Sequence, residues 1–540
     1  MRAGRSALDH IPLSYPGAVS RSEPNRLVTL LLAVVGGAAT RFAFPAPGWW
    51  PLAYVGTALL FLALRRDHAW WNALVGLVWG VAFFAPLITW ADSAVGWIPW
   101  LALSVVEAGF VALFAGAWTW ARRGEAVWRS AGLQVLVFAV LWVGAEELRQ
   151  VWPFGGFPWG RLAFSQADAP TAALMSVAGA PLVSATVAAV GAMLARSVLA
   201  VRRASALGTF GWLAGSVALV VVGLAVPLPT QAQNGELRVG AVQGNVPGQG
   251  IDAFGNRPRQ VLDNHAQGTM DLLTRVAPGQ LDLVVWPENG SDIDPQVDQQ
   301  AATTIDDAAR AVGAPLLVGT VQYPASGGRY NTSVLWEPGK GVVASYTKQH
   351  PAAFAEYIPM RGFVRLFSSA VDKVTRDMLP GHKPGYVPLV SPRLGRTVGI
   401  GDVICFEVAY DDIVRTAVTT GGEVLIVQTN NASFGYTAES TQQLAMSQLR
   451  AIEHGRATVQ ISTVGVSAVI APNGAVLQRT SLFTAAQMVA TLPLRESLTL
   501  SDRLGRWPAW IIDALAVSVV VAGAAGASRV RRSDRIETAA

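Results

Sequence analysis

Val398-Gly-Ile-Gly-Asp-Val-Ile-Cys405-Phe-Glu407 reads as a buried apolar strand ending in an acidic turn, and it holds the chain's only cysteine. A single thiol cannot form an internal disulfide, so Cys405 is either inert core or a nucleophile. Upstream stand Glu288, in Val284-Val-Trp-Pro-Glu-Asn289, and Lys348, in Tyr346-Thr-Lys-Gln-His350. An acid, an amine and a thiol, each near the end of a strand, are the parts of a thiol acyl-transfer site.

The 540 residues exceed one ordinary domain. The chain is 51% hydrophobic and 14% charged, against a usual charged share of about 25%. That deficit, with 19 tryptophans, marks a membrane protein. The formal net charge is only +5, and its basic excess lies beside apolar runs, so it reads as a topology signal and not as a nucleic-acid surface. All four lysines (Lys340, Lys348, Lys373 and Lys383) fall between residues 236 and 500, which divides the chain into two parts of different composition.

Apolar runs at about 27–44, 49–64, 70–90, 98–120, 131–148, 172–195, 207–228 and 507–527 predict eight membrane spans. With residues 1–26 as a cytoplasmic tail, the inside segments hold sixteen arginines: Arg2, Arg5, Arg21 and Arg26; Arg65 and Arg66; Arg122, Arg123 and Arg129; Arg196, Arg202 and Arg203; and Arg529, Arg531, Arg532 and Arg535. The short outside loops hold three, Arg41, Arg149 and Arg161. This asymmetry places 27–231 as a seven-span bundle, 232–504 outside, 507–527 as the returning span and 528–540 in the cytoplasm.

The outside segment alternates strand-like and helix-like stretches. Residues 237–242, 281–286, 315–320, 398–400, 424–427 and 466–471 read as short strands, and 258–276, 299–312 and 438–455 as helices. Such alternation over about 260 residues predicts an α/β domain with helices covering its sheets.

Several further stretches stand in a fixed order. They are Val242-Gln-Gly-Asn-Val-Pro247, Phe354-Ala-Glu-Tyr-Ile-Pro359, Asn430-Asn-Ala-Ser-Phe-Gly435 and Arg450-Ala-Ile-Glu-His-Gly-Arg456, with Gly156-Phe-Pro-Trp159 and Phe164-Ser-Gln166 in the membrane part. Together with the Glu288, Lys348 and Cys405 motifs, these make the outer segment resemble the nitrilase superfamily. With its membrane flanks, the chain resembles the bacterial apolipoprotein N-acyltransferase family. The resemblance implies a polytopic helical bundle of about eight spans carrying an extracytoplasmic nitrilase-like α-β-β-α sandwich. It implies Glu288 as general base, Lys348 as oxyanion-stabilising cation and Cys405 as nucleophile, with Glu356 and Glu407 as supporting acids. The implied reaction passes an acyl chain from a phospholipid donor, through a Cys405 thioester, to the N-terminal amine of a diacylglyceryl-modified apolipoprotein. It implies a multi-pass protein of the cytoplasmic membrane, in contact with membrane lipids and with both termini in the cytoplasm. Three positions depart from the family pattern: Phe406 replaces a frequent Tyr, Asn431-Ala-Ser433 replaces Asp-Ala-Trp, and Phe254 is the nearest aromatic where many relatives carry a tryptophan.

The chemistry has physical reasons. A free thiol has a pKa of about 8.5, so little of it is thiolate at neutral pH. A carboxylate within reach takes the thiol proton, and a nearby ammonium favours the thiolate. The same ammonium, with a backbone N–H at Cys405, stabilises charge on the attacked carbonyl oxygen. Ester-to-thioester-to-amide transfer needs no ATP, and no cofactor is expected. No second His or Cys stands at zinc spacing beside His350, so no metal is expected. Met360, Phe363, Val364 and Phe367 recur at helical spacing just after Glu356 and read as a lid or lipid-contacting arm, or else as an ordinary core helix. Glu107, inside the fourth span, reads equally as a functional acid or a partnered structural one. Two other functions use the same parts: a membrane-anchored amidase or hydrolase, and a non-enzymatic transporter or receptor with a degenerate outer domain.

Overall fold

The computed structural model describes residues 23–246, 248 and 259–539; Arg2, Arg5, Arg21, Pro247 and Phe254 lie outside them. The first half is helical: α1 (Arg26–Ala43), α2 (Pro51–Ala63), α3 (Ala69–Leu87), α4 (Trp90–Val95), α5 (Trp97–Ala121), α6 (Glu125–Arg129), α7 (Ala131–Arg149), α8 (Met175–Val201) and α9 (Ala206–Val221). Counting the C-terminal helix, seven described helices are long and apolar enough to cross a membrane. The expected span at 49–64 is shorter than read. It is the 13-residue α2, opened by Pro51 at its first turn. At about 20 Å it falls short of a hydrocarbon core of about 30 Å. The expected span at 70–90 ends at Leu87, where the chain turns into the six-residue α4.

Small residues let these helices approach closely. A Cβ on Gly37 would lie 2.3 Å from the Trp79 carbonyl oxygen, and one on Gly80 would lie 2.6 Å from the Ala108 Cα. Glu107 has a partner: Arg149 donates to its carboxylate at 2.9 Å, and both side chains are buried. An acid at this depth is tolerated because it is paired.

The second half is a sandwich of two mixed sheets. Its strands are β1 (Glu236–Gln243), β2 (Leu283–Val285), β3 (Leu316–Gln322), β4 (Tyr330–Glu337), β5 (Gly341–Thr347), β6 (Tyr386–Ser391), β7 (Arg396–Ile404), β8 (Val424–Thr429), β9 (Thr458–Ser462), β10 (Ala468–Ile470), β11 (Val476–Arg479) and β12 (Ala486–Pro493). They order as β12-β1-β2-β3-β4-β5 and β11-β10-β9-β8-β7-β6. At the centre of each sheet three strands run parallel, β1 with β2 and β3, and β7 with β8 and β9. Parallel strands need both faces covered. Helices α10 (Gln260–Asp271), α11 (Gln299–Val312), α12 (Arg361–Val364), α13 (Asp411–Thr419), α14 (Glu439–His454), α15 (Leu500–Leu504) and α16 (Trp507–Ala539) complete the chain.

Strand periodicity sorts the side chains into layers. On β7, Val398, Ile400 and Ile404 face the core between the sheets, while Val403 faces outward. Trp286 and Val284 pack with Ile305 and Ala309 of α11 on the outer face of the first sheet. On the second sheet the outer layer does not meet water. Val403, Val414, Val418, Met446 and Ile452 share one continuous core with Phe83, Trp159, Phe164 and Met175 of the bundle. The α13 and α14 layer thus fixes the sandwich on the membrane helices. Gly179 marks one close approach, since a Cβ there would lie 2.8 Å from Oε1 of Glu453.

Candidate active site

Three strand ends converge. Glu288 follows β2, Lys348 follows β5 and Cys405 follows β7. The β2 end is held from both sides: Trp286 donates through Nε1 to Thr269 at 2.8 Å, and Gln428 of the opposite sheet donates to the Trp286 carbonyl at 2.6 Å. Gly319 on β3 makes room, because a Cβ there would lie 2.7 Å from the Glu288 Cα. Cys405 has φ +56°, a left-handed conformation that a side-chain residue rarely takes. It sits at the sharp step from β7 into the 3-10 turn Cys405–Ala409. Strain of this kind persists where the surroundings over-determine a residue, and the first amides of such a turn have no partner within it.

Lys348 is buried, and its ammonium donates to Glu356 at 2.9 Å and to Glu288 at 3.4 Å. Asn331 on β4 donates to Glu288 Oε1 at 2.6 Å and lies 3.4 Å from Glu356 Oε1. The charges of Glu288 and Lys348 both act on the Cys405 thiol. Burial works against the Lys348 charge, but Glu356 and Glu288 hold the ammonium well above its ordinary range. Burial pushes Glu288 up, with Lys348 opposing and Glu356 adding. Burial, then the charge of Glu288, pushes the Cys405 thiol up against the pull of Lys348. The ammonium was expected to favour a resting thiolate; burial and Glu288 outweigh it. The resting sulfur is therefore held toward its protonated form beside a carboxylate.

Glu356 and Glu407 sit differently. Glu356 bonds Lys348 directly and also accepts from the Ala352 amide at 2.6 Å. Glu407 is fully buried and accepts from Tyr346 at 2.9 Å, the Gln349 amide at 2.6 Å, the His350 amide at 3.1 Å and the Ile404 amide at 2.9 Å. It ties the loop after Lys348 to the Cys405 turn. Among the described residues no three His, Cys, Asp or Glu side chains gather as a metal site requires.

The bundle lies directly beneath. Phe406 stacks on Trp159 with ring planes 4° apart and centroids 5.6 Å apart. His350 meets the Gly155 carbonyl at 3.1 Å, and Tyr410 donates to the Gly156 carbonyl at 2.9 Å. The arm after Glu356 leaves Met360, Phe363, Leu366 and Phe367 exposed by 57, 58, 77 and 61%. Val364 instead turns inward against Ile358, Val371 and Val374. The helical spacing that grouped Val364 with the others holds for only one turn, Arg361–Val364, and Leu366 joins the exposed face beyond it.

Four polar residues at the site were not read from the sequence: Asn331, Thr429, Gln443 and Glu439. Gln443 donates toward the Cys405 sulfur at 3.7 Å, and the Thr429 hydroxyl lies 3.5 Å from it. Gln443 and Glu439 are four apart on α14 and wholly buried, which is unusual for such side chains.

Residues 36–193 match the model of the apolipoprotein N-acyltransferase N-terminal domain, and residues 238–497 match that of the carbon-nitrogen hydrolases. Over 508 residues, 89% of this chain and 82% of the other, the sequence is 38% identical to an apolipoprotein N-acyltransferase of Mycolicibacterium smegmatis. One of Azotobacter vinelandii is 32% identical over 90% of this chain and 93% of its own. Among solved structures, an amidase from Nesterenkonia sp. aligns with a TM-score of 0.37 and 19% identity, covering 53% of this chain and 100% of the amidase.

Proposed function

This chain belongs to the apolipoprotein N-acyltransferase family, and from that premise we propose that it moves a fatty acyl chain from a membrane phospholipid to the α-amine of an S-diacylglyceryl cysteine at a lipoprotein's N-terminus. The observation that carries this reading is the meeting of Glu288, Lys348 and Cys405 at three strand ends, with the acid and the ammonium both acting on the thiol. The Cys405 sulfur attacks the ester carbonyl carbon as its proton passes to Glu288. Negative charge gathers on the carbonyl oxygen opposite Lys348. Collapse breaks the ester C–O bond, the leaving lysophospholipid oxygen takes the proton from Glu288, and a thioester remains. The acceptor amine then attacks the thioester, gives one proton to Glu288, and the amide forms as the C–S bond breaks. Glu288 returns that proton to the sulfur.

The arginine asymmetry supports a sandwich outside the cytoplasm with both termini inside, an arrangement in which the short α2 also crosses, through a bilayer thinned around it. Lipid substrates account for a site seated on a bundle and for an exposed apolar arm beside it. The test is intact mass of the purified protein mixed with a dipalmitoyl phospholipid. One palmitoyl group should add to Cys405 and leave when a diacylated cysteinyl peptide is supplied, and Cys405→Ala should take up none. Palmitate release at the same rate without peptide would make the protein a hydrolase, and full turnover by Cys405→Ala would end the proposal.

A further inference from the structure

Behind Cys405, on the side away from Glu288, a second set of hydrogen bonds runs inward from the sulfur to a buried acid. Gln443 Nε2 and Thr429 Oγ1 approach Sγ at 3.7 and 3.5 Å. Gln443 Oε1 accepts from Thr429 at 2.7 Å and from Asn431 Nδ2 at 2.9 Å. The same Asn431 nitrogen donates to Glu439 Oε2 at 2.6 Å, and Asn431 Oδ1 accepts from Ser462 at 2.6 Å. Thr429, Asn431, Glu439, Gln443 and Ser462 are all at least 98% buried.

The direction of this relay matters. Hydroxyls turn to suit their neighbours, and side-chain amides can present either end, but Glu439 Oε2 accepts from Asn431 Nδ2 and so sets that amide's direction. Glu439 therefore decides which end of Asn431 faces it. Asn431 Nδ2 then decides that Gln443 offers its oxygen inward and its N–H to the sulfur. Donors facing sulfur stabilise the thiolate. Position 431 is also where the chain departs from the family pattern by carrying Asn for Asp, and the acid facing it here comes from α14. Burial pushes the Glu439 carboxyl up to about 8, with Asn431 opposing and Glu288 adding, and its Oε2 accepts from Asn431 Nδ2.

We propose that Glu439 is a positioning residue for Cys405, fixing the Asn431 and Gln443 amides so that a donor meets the nucleophile's sulfur. The proposal rests on Cys405 as nucleophile, yet its test reads thiol chemistry and not acyl transfer. Because Cys405 is the only cysteine, iodoacetamide alkylation followed by intact mass reports it alone. The charged groups around the sulfur are Glu288 from β2, Lys348 from β5 with Glu356 behind it, Glu407 on the same turn and Glu439 from α14. Glu439→Gln and Glu439→Leu remove the same charge, but only Gln keeps an acceptor for Asn431. The comparison between them isolates the relay. Loss of one neutral donor should make Glu439→Leu about fivefold slower than Glu439→Gln below the alkylation midpoint, with that midpoint about 0.7 pH units higher. Gln443→Met, which removes the donor itself, should match Glu439→Leu and serves where that variant does not fold. Equal rates and midpoints for Glu439→Gln and Glu439→Leu, or a wild-type profile for Gln443→Met, would overturn the proposal. Failure of phospholipid to acylate Cys405 would instead remove the function and leave the alkylation result standing.

Discussion

Asp411 and Glu288 are both buried carboxylates facing basic side chains, on opposite sides of the Cys405 turn. Asp411 lies between two guanidiniums, 2.8 Å from Arg161 of the bundle and 2.7 Å from Arg450 of α14. Glu288 shares one ammonium with Glu356. Burial works against both charges. At Asp411 the arginines Arg161, Arg450 and Arg415 outweigh it and hold the carboxyl well below the usual carboxylate range. At Glu288 burial prevails over Lys348 and the group is pushed up. An acid with more positive charge around it than it can neutralise stays ionised and serves as a joint. An acid short of positive charge can take a proton and serves as a base. The first kind joins the two halves of the protein at Asp411, and the second takes the thiol proton in the proposed reaction.

The largest effect should come from neutralising the second. Glu288→Gln keeps an oxygen for Asn331 but cannot accept the thiol proton. Single-turnover acylation of Cys405 should fall by ~10²–10⁴-fold, while the thermal midpoint in detergent stays within a few degrees. A Glu288→Gln protein that acylates at the wild-type rate would remove the distinction drawn between the two acids.

Asp411→Asn should do the reverse. It leaves Arg161 with Glu147 and Arg450 with Glu453 but removes the acid that joins them, and the cost should be at most about 3–5 kcal/mol, that of breaking a buried pair. Unfolding should therefore move to lower temperature, while the protein that stays folded acylates normally. The pH dependence has a definite sign. The folded pKa of Asp411 is depressed, so its contribution is present above the unfolded pKa, near 4. It is lost as pH falls toward the folded value. The gap between wild type and Asp411→Asn should be full at pH 6 and close in acid. A gap that stays constant down to pH 3 would mean that Asp411 holds the joint by shape and not by charge.

How legible this was from the sequence depended on the kind of contact. Glu288, Lys348 and Cys405 stand in short motifs at strand ends; β2 is an unbroken apolar run, and β7 and β8 hold the apolar stretches Val398-Gly-Ile400 and Val424-Leu-Ile-Val427. For Lys348 the sequence gives a strand end but not the extent of the strand or its hairpin partner. Tyr330-Asn-Thr-Ser-Val-Leu-Trp-Glu337 and Gly341-Val-Val-Ala-Ser-Tyr-Thr347 form β4 and β5, but their polar residues hide the apolar pattern. Glu337-Pro-Gly-Lys-Gly341 between them carries a hairpin signal. The joint was invisible because Arg161 and Asp411 are 250 residues apart and each looks like a surface charge. Arg161 was even counted as evidence for topology. Gln443 and Glu439 were hidden for the opposite reason, lying in a helix whose polar residues are expected to face water.

The smallest effect concerns what lies at the edge of both clusters. The arm after Glu356 is tied down at its base, where the Met378 amide donates to the Glu356 carbonyl at 2.8 Å and Arg361 donates to the Val371 and Val374 carbonyls at 2.8 Å. Its outer face has no such ties, and Phe363 and Phe367 meet edge to face at 5.2 Å. If the joint sets the height of the site over the bundle and the arm reaches lipid, the arm matters only for substrates that arrive through a membrane. Replacing Phe363 and Phe367 together by Ser should slow acylation of Cys405 from phospholipid vesicles by about tenfold, or about 1.4 kcal/mol, a fraction of the burial worth of two aromatic side chains. Alkylation of the same thiol by iodoacetamide, a small soluble probe, should not change. Equal slowing of both reactions would place these rings in the support of the pocket, on the side of the joint, and not on the path of the lipid.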